Sequence, residues 1–301
     1  MSIRELGYAI FASPALSQWQ AFGEQILGMA SSEGPDGSLY LKMDERDYRL
    51  VIVPAAEERF VAGGWEVPNK AAFDALKSKL LGEGVEILPS DEAGLRLRRV
   101  QDYFAVKDPD GNRYEIYWGP ISGFKPFISS IGLSSFVTGG LGLGHIVLPA
   151  LDIEGGYQFA TDKLGLGLSD ILTMDFGGNE VKLYFAHCDN GRQHSLALAR
   201  LPAPSGLVHM MIEVPTLKDV GMALDRVEKA GLQLVMTLGQ HVNDDCVSFY
   251  FQSPTGYMVE IGWEGVVKDW SRHSVFETTL PSHWGHKFVL NDPRYQAGGG
   301  E

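Results

Sequence analysis

The chain has 301 residues, 45% of them hydrophobic and 21% charged, with a formal net charge of −13, which is long enough for about two domains with real cores. Its acidity, with LRLRR at 95–99 as the only basic cluster, argues against nucleic acid or an anionic membrane as partner, and no run of about 18 apolar residues offers a membrane span. Two cysteines, Cys188 and Cys246, make no disulfide scaffold, and the opening MSIRELGYAIFASP is no signal peptide, so a reduced, cytoplasmic setting is expected.

In chain order, LGYAIF (6–11) reads as a strand and Trp19–Gly28 as a helix. WEVP (65–68) leads into the helical AFDALKSKLLGEGVEIL, and DPDGNRYEIYWGP (108–120) is a turn running into a strand. GGLGLG (139–144) does not fit G-x-G-x-x-G and is followed by HIVLP rather than a helix, so it reads as a linker and not a dinucleotide site. A helix is expected over 153–164 from Ile153, Tyr157, Phe159, Ala160 and Leu164, then strands VKLYFAH (181–187) and SLALA (195–199). The pattern restarts with LVHMMIEV (207–214), a helix over about 217–230 stopped by Gly231, and strands LQLVM, VSFYFQ and YMVEIGW.

The chain is written twice. DPDGNRYEIYWGP repeats as SPTGYMVEIGWEG (253–265), with Glu115 under Glu260 and Trp118 under Trp263 at a constant offset of 145. LGYAIF matches LGHIVL (143–148), Trp19–Gly28 matches Gly156–Gly165, and WEVP matches IEVP (212–215). Four collinear matches indicate duplication. The expected fold is α+β: two tandem similar domains, each of two βαβββ modules forming a curled half-barrel sheet. The first domain would span 1–132 and the second 138–280, with a tail at 281–301.

All eight histidines lie in the second half. His145 falls on Tyr8 of the first copy, His209 on Ala62, His194 near Tyr48 and His241 near Arg96, while Glu260 alone keeps its counterpart, Glu115. A single histidine on a strand is more often a satisfied core or surface residue. His145 and His209 open the leading strands of two modules and Glu260 lies in the last strand. In a curled sheet these strands can run side by side. Two imidazoles and one carboxylate are the facial set of non-haem Fe(II) sites, and Mn(II) accepts the same donors. Glu115, lacking the histidines, is expected to bind no metal.

The motifs GLGHIVL, LVHMMIEV, GQHVNDDCVSFYFQSPTG and YMVEIGWEG resemble those of the type I extradiol ring-cleavage dioxygenases of the vicinal oxygen chelate superfamily, over almost the whole chain. The resemblance implies that His145, His209 and Glu260 bind Fe(II) and that His194 is the acid–base residue near dioxygen. It further implies that His241 and Tyr250 bond the oxygens of a catechol, with Asp244 beside them. The implied reaction is meta cleavage of a bicyclic or biaryl catechol by O2, within aromatic hydrocarbon breakdown, in a homo-oligomer (octamer or dimer). Asn243 adjoins these residues, and Val147, Phe185, Leu280 and Pro281 are candidates for the wall around a distal ring. His187, His283 and His286 are read as structural. One departure from the family pattern is Gln193, where a histidine is common. The alternatives are a 1,2-dihydroxynaphthalene-type dioxygenase, a glyoxalase-like metal-dependent isomerase, which would use a fourth side-chain ligand, and a non-enzymatic binding module, which would lack the ligands.

Overall fold

A computed structural model describes residues 3–176 and 178–289. The first half runs β1 (Glu5–Ser13), α1 (Leu16–Ala21), β2 (Ala30–Glu33), β3 (Leu39–Lys42), β4 (Leu50–Pro54), β5 (Arg59–Glu66), α2 (Lys70–Gly82), β6 (Leu88–Pro89), α3 (Glu92–Arg98), β7 (Val100–Lys107) and β8 (Arg113–Pro120). The second runs β9 (His145–Pro149), α4 (Ile153–Gln158), β10 (Gly167–Phe176), β11 (Asn179–His187), β12 (Leu196–Ala199), β13 (His209–Glu213), α5 (Leu217–Lys229), β14 (Leu234–His241), β15 (Val247–Gln252) and β16 (Met258–Trp263). The short strands β17 (Glu277–Thr278) and β18 (Ser282–Trp284) close it.

The expected βαβββ modules are present. The first eight strands form one curled sheet, β2-β3-β4-β1-β5-β8-β7-β6, and the rest a second, β17-β10-β11-β12-β9-β13-β16-β15-β14-β18. In each, the leading strands of the two modules meet at the centre, antiparallel. The first half departs in one place: α3 stands between β6 and β7, where the second half has the extended β14. The helix expected over 153–164 is α-helical only to Gln158 and finishes as a π-turn over Phe159–Lys163. The same α-to-π change follows α1, at Phe22–Leu27. Of the expected tail, residues 290–301 lie outside the described residues, and β18 pairs with β14 at the edge of the second sheet.

Local chemistry explains the long helices. Asn69 and Thr216 accept the N–H groups of Ala72 and Asp219 as N-caps. α5 buries Val220, Ala223 and Val227, one stripe at helical spacing. The concave faces of the sheets differ. Tyr8, Tyr40, Tyr48, Tyr103 and Tyr117 fill the first. In the second, small and aliphatic residues, among them Val147, Val181 and Ala199, line a cavity of about 1150 Å³ counted with its open mouth. No helix of the described residues is long and apolar enough to cross a membrane.

Candidate metal centre

Strand register builds the site. His145 of β9 pairs with Met211 of β13, Met211 with Glu260 of β16, and Glu260 with Tyr250 of β15. In-register residues on neighbouring strands share a face, and so do residues two apart, which adds His209. His145, His209, Glu260 and Tyr250, on four adjacent strands, thus point into the same cavity. The leading strands come close because Gly144 has φ +139°, and a Cβ there would lie 2.1 Å from the Met211 carbonyl oxygen.

His145 Nε2 and His209 Nε2 are 3.1 Å apart, and each is 3.3 Å from Glu260 Oε2. Among the described residues this is the one group of three metal-ligating side chains whose atoms converge. Donors at right angles about 2.1 Å from a common ion would sit about 3.0 Å apart, so the spacing fits a metal. Glu260 is 1% exposed, and its Oε2 is buried with no hydrogen-bond partner. An orphaned buried carboxylate oxygen is costly, and a cation at the convergence point removes that cost. Burial lowers the His145 imidazole to about 4, which keeps it neutral with a lone pair to give.

The other expected residues surround this group. His241 Nε2 lies 2.7 Å from the Tyr250 hydroxyl and 3.4 Å from Glu260 Oε1, and its Nδ1 is 3.0 Å from the Pro281 carbonyl. A carbonyl only accepts, so His241 bears a proton on Nδ1. Burial would lower His241, but hydrogen bonding and the charge of Glu260 outweigh it and draw it up to about 9. The Tyr250 phenol is pushed far above its usual range by burial and then by Glu260. The His194 ring centroid lies 4.0 Å from that of His145 and 4.8 Å from that of Phe185, the latter pair T-shaped; burial holds it well below the ordinary imidazole value. Asp244 Oδ2 is 3.9 Å from His194 Nδ1, and burial raises its carboxyl to about 6.

Val147, Phe185, Asn243, Asp244, Leu280 and Pro281 all line the cavity. Leucines and methionines that the sequence reading passed over, Leu172, Met174, Leu201, Met236 and Met258, complete its wall; strand alternation names two faces but not which one looks inward. His286 also lines it, with its ring 4.1 Å from that of His241 and its nitrogens tied to Ser282 Oγ and the Ser248 carbonyl. His187 stacks on Trp270 at 3.4 Å, and His283 faces Asp245 in an exposed pair. No sequence signal distinguished Asp170, a buried carboxylate that bonds Gln193.

Two family models match the chain: "Dihydroxybiphenyl dioxygenase BphC D1" over residues 6–55 and "Glyoxalase/Bleomycin resistance protein/Dioxygenase superfamily" over 142–261. An iron-dependent extradiol dioxygenase of Rhodococcus jostii (strain RHA1) is 38% identical, over 96% of this chain and 99% of that protein. A biphenyl-2,3-diol 1,2-dioxygenase of Metapseudomonas furukawaii is 39% identical, over 96% and 95%. A crystal structure of catechol 2,3-dioxygenase superposes with a TM-score of 0.91 at 30% identity, covering 99% of this chain and 100% of that one. With the two curled sheets and their repeated modules, these likenesses establish that the chain belongs to the extradiol ring-cleavage dioxygenases of the vicinal oxygen chelate superfamily.

Proposed function

We propose that His145, His209 and Glu260 hold Fe(II), and that the enzyme opens a two-ring catechol such as 2,3-dihydroxybiphenyl beside one hydroxyl-bearing carbon, placing both atoms of O2 in the product. The observation that carries this is the converging donor set with its orphaned carboxylate oxygen at the floor of an apolar cavity. Three protein donors leave open positions, as facial iron sites require. Fe(II) is favoured over Mn(II) because the Rhodococcus relative is named iron-dependent. The biaryl substrate is favoured by the names of several relatives and by aliphatic walls that suit a second ring.

When bound, the ion supplies the electronic link between catechol and dioxygen, whose direct reaction is spin-forbidden. The remaining work falls to side chains. Tyr250 and His241, already bonded to each other, hold and polarise the substrate oxygens. His194, neutral and with its ring tilted against that of His145, takes and returns a proton at dioxygen. Asp244 and Asn243 bound the polar end of the pocket, while Val147, Phe185, Leu280 and Pro281 keep water from the ring.

Elemental analysis and oxygen uptake with a panel of catechols test the reading on enzyme kept reduced. His209→Ala is expected to lose iron and to lose uptake by more than the about 100-fold that even supporting residues can cost. Uptake that survives this change would exclude the triad. Tight zinc with no uptake would point to an isomerase instead.

A further inference from the structure

Gln193 sits in a constructed setting. It is 2% exposed and lies between two buried polar side chains, Asp170 at 0% and His194 at 4%. Its amide nitrogen donates to Asp170 Oδ2, and its amide oxygen lies 2.5 Å from His194 Nδ1. Ser169, where β10 breaks register against β11, adds a hydroxyl bond to the Gln193 carbonyl. A bulge turns side chains out of alternation, and Asp170 is the first paired residue beyond it, opposite Phe185, whose ring makes a T-shaped contact with His194. On its far side the Asp170 carboxylate faces the Phe276 N–H at 3.5 Å and His273 Nε2 at 3.6 Å. His273 donates from that nitrogen to the Ser169 carbonyl at 2.7 Å.

Burial raises the Asp170 carboxyl to about 6, below neutral pH, and with Asp170 ionised these contacts have one consistent proton arrangement. An ionised carboxylate only accepts, so the Gln193 NH2 must face Asp170. The amide then presents its oxygen to His194, and an oxygen acceptor requires the proton on Nδ1. His194 Nε2 is left with the lone pair. We propose that Asp170 and Gln193 are positioning residues that lock His194 in its Nδ1–H tautomer, so that Nε2 is the only nitrogen able to accept a proton in the active site. This rests on the acid–base role proposed for His194. It also dictates the route: a neutral amide cannot relay a proton onward, so a proton gained at Nε2 leaves from Nε2. Proton uptake and return then occur at one atom within one turnover, with no exit through Asp170.

Gln193→Leu and Gln193→Glu separate this from simple packing. Leu keeps the volume and removes the acceptor; Glu keeps an acceptor and brings a second carboxyl beside Asp170, with which it would share a proton. A packing role makes Leu the milder change. The orienting role makes Glu the milder one: Gln193→Leu lowers kcat by about 100-fold, the lower end of a general acid–base contribution, with the catechol KM within about threefold, and Gln193→Glu stays within about tenfold of the parent. Solid-state 15N NMR of histidine-labelled, zinc-substituted enzyme reads the tautomer, with His194 assigned by its absence in His194→Asn. Nδ1–H is expected in the parent and in Gln193→Glu, and an Nε2–H population in Gln193→Leu and in Asp170→Ala. A parent in the Nε2–H form, or Gln193→Leu with the Nδ1–H form and kcat within twofold, overturns the proposal. His194→Asn with parental kcat would instead overturn the acid–base role, while the NMR still decides the orientation.

Discussion

Glu115 and Glu260 stand at the same place in two copies of one turn and strand, both buried, and they solve the same electrostatic problem differently. Glu115 is clasped by Arg98 through Nε and Nη2, both at 2.6 Å, by Arg113 at 3.0 Å and by the Tyr8 hydroxyl at 2.9 Å. A guanidinium thus occupies the surroundings that in the second half are ringed by imidazoles. Burial would raise the Glu115 carboxyl, but the bonds and charge of Arg98 prevail and hold it below the ordinary value. Glu115→Gln leaves Arg98 buried without its counter-charge, an expected loss of about 3 kcal/mol in denaturant unfolding at pH 7. Because the folded carboxyl lies below its unfolded value, its contribution is complete above about pH 4.3 and fades as pH falls through the folded value. The difference between parent and variant should therefore shrink in acid, and an equal difference at pH 7 and pH 3 would contradict this account.

At the level of elements, repeated motifs made the strands legible, and with them the facing of His145, His209 and Glu260. The partner of Glu115 was not legible. Alignment of the copies sets His241 near Arg96, whereas the residue that reaches Glu115 is Arg98, because α3 replaces the extended β14 and advances the chain helically. The Asp170 contact depends on a bulge, which no alternation pattern announces. The approach of β9 to β13 is a backbone matter. Gly144→Ala would force a Cβ against Met211, costing about 1–3 kcal/mol by overpacking and spreading the two histidines. Lower metal content per chain at equal protein, together with a reduced Tm, is the expected result; unchanged metal binding would show that the strands yield elsewhere.

The whole molecule shares one apolar layer across its two sheets. Phe11 and Trp19 of the first half lie 4.9 and 5.7 Å from Tyr257 of the second, Phe22 lies 6.1 Å from Phe251, and Tyr114 lies 5.8 Å from Phe159. The Arg226 side chain of α5 donates to the Ile26 carbonyl at 3.0 Å. The division proposed between 132 and 138 thus separates two sheets that hold their core in common. Denaturant unfolding followed by tryptophan fluorescence and by far-UV circular dichroism should give coincident transitions. Two resolved transitions would mean that the halves stand alone. The first half thus completes the core on which the strands carrying His145, His209 and Glu260 rest.

Sequence alone determined the duplication, the module order and the residues that distinguish the active copy, because periodicity and repeated turns are local properties that survive in one dimension. It also named the three converging donors, since strand order within a repeated module restricts which positions can meet, whereas His241 and Tyr250 were marked only by the resemblance to a family. Tertiary structure alone decided that Arg98 neutralises Glu115, that the second concave face stays open while tyrosines close the first, and that Asp170 reaches His194 through Gln193. These depend on helix phase, on the inward face of each strand and on one bulge, and each is set by packing between segments distant in the chain.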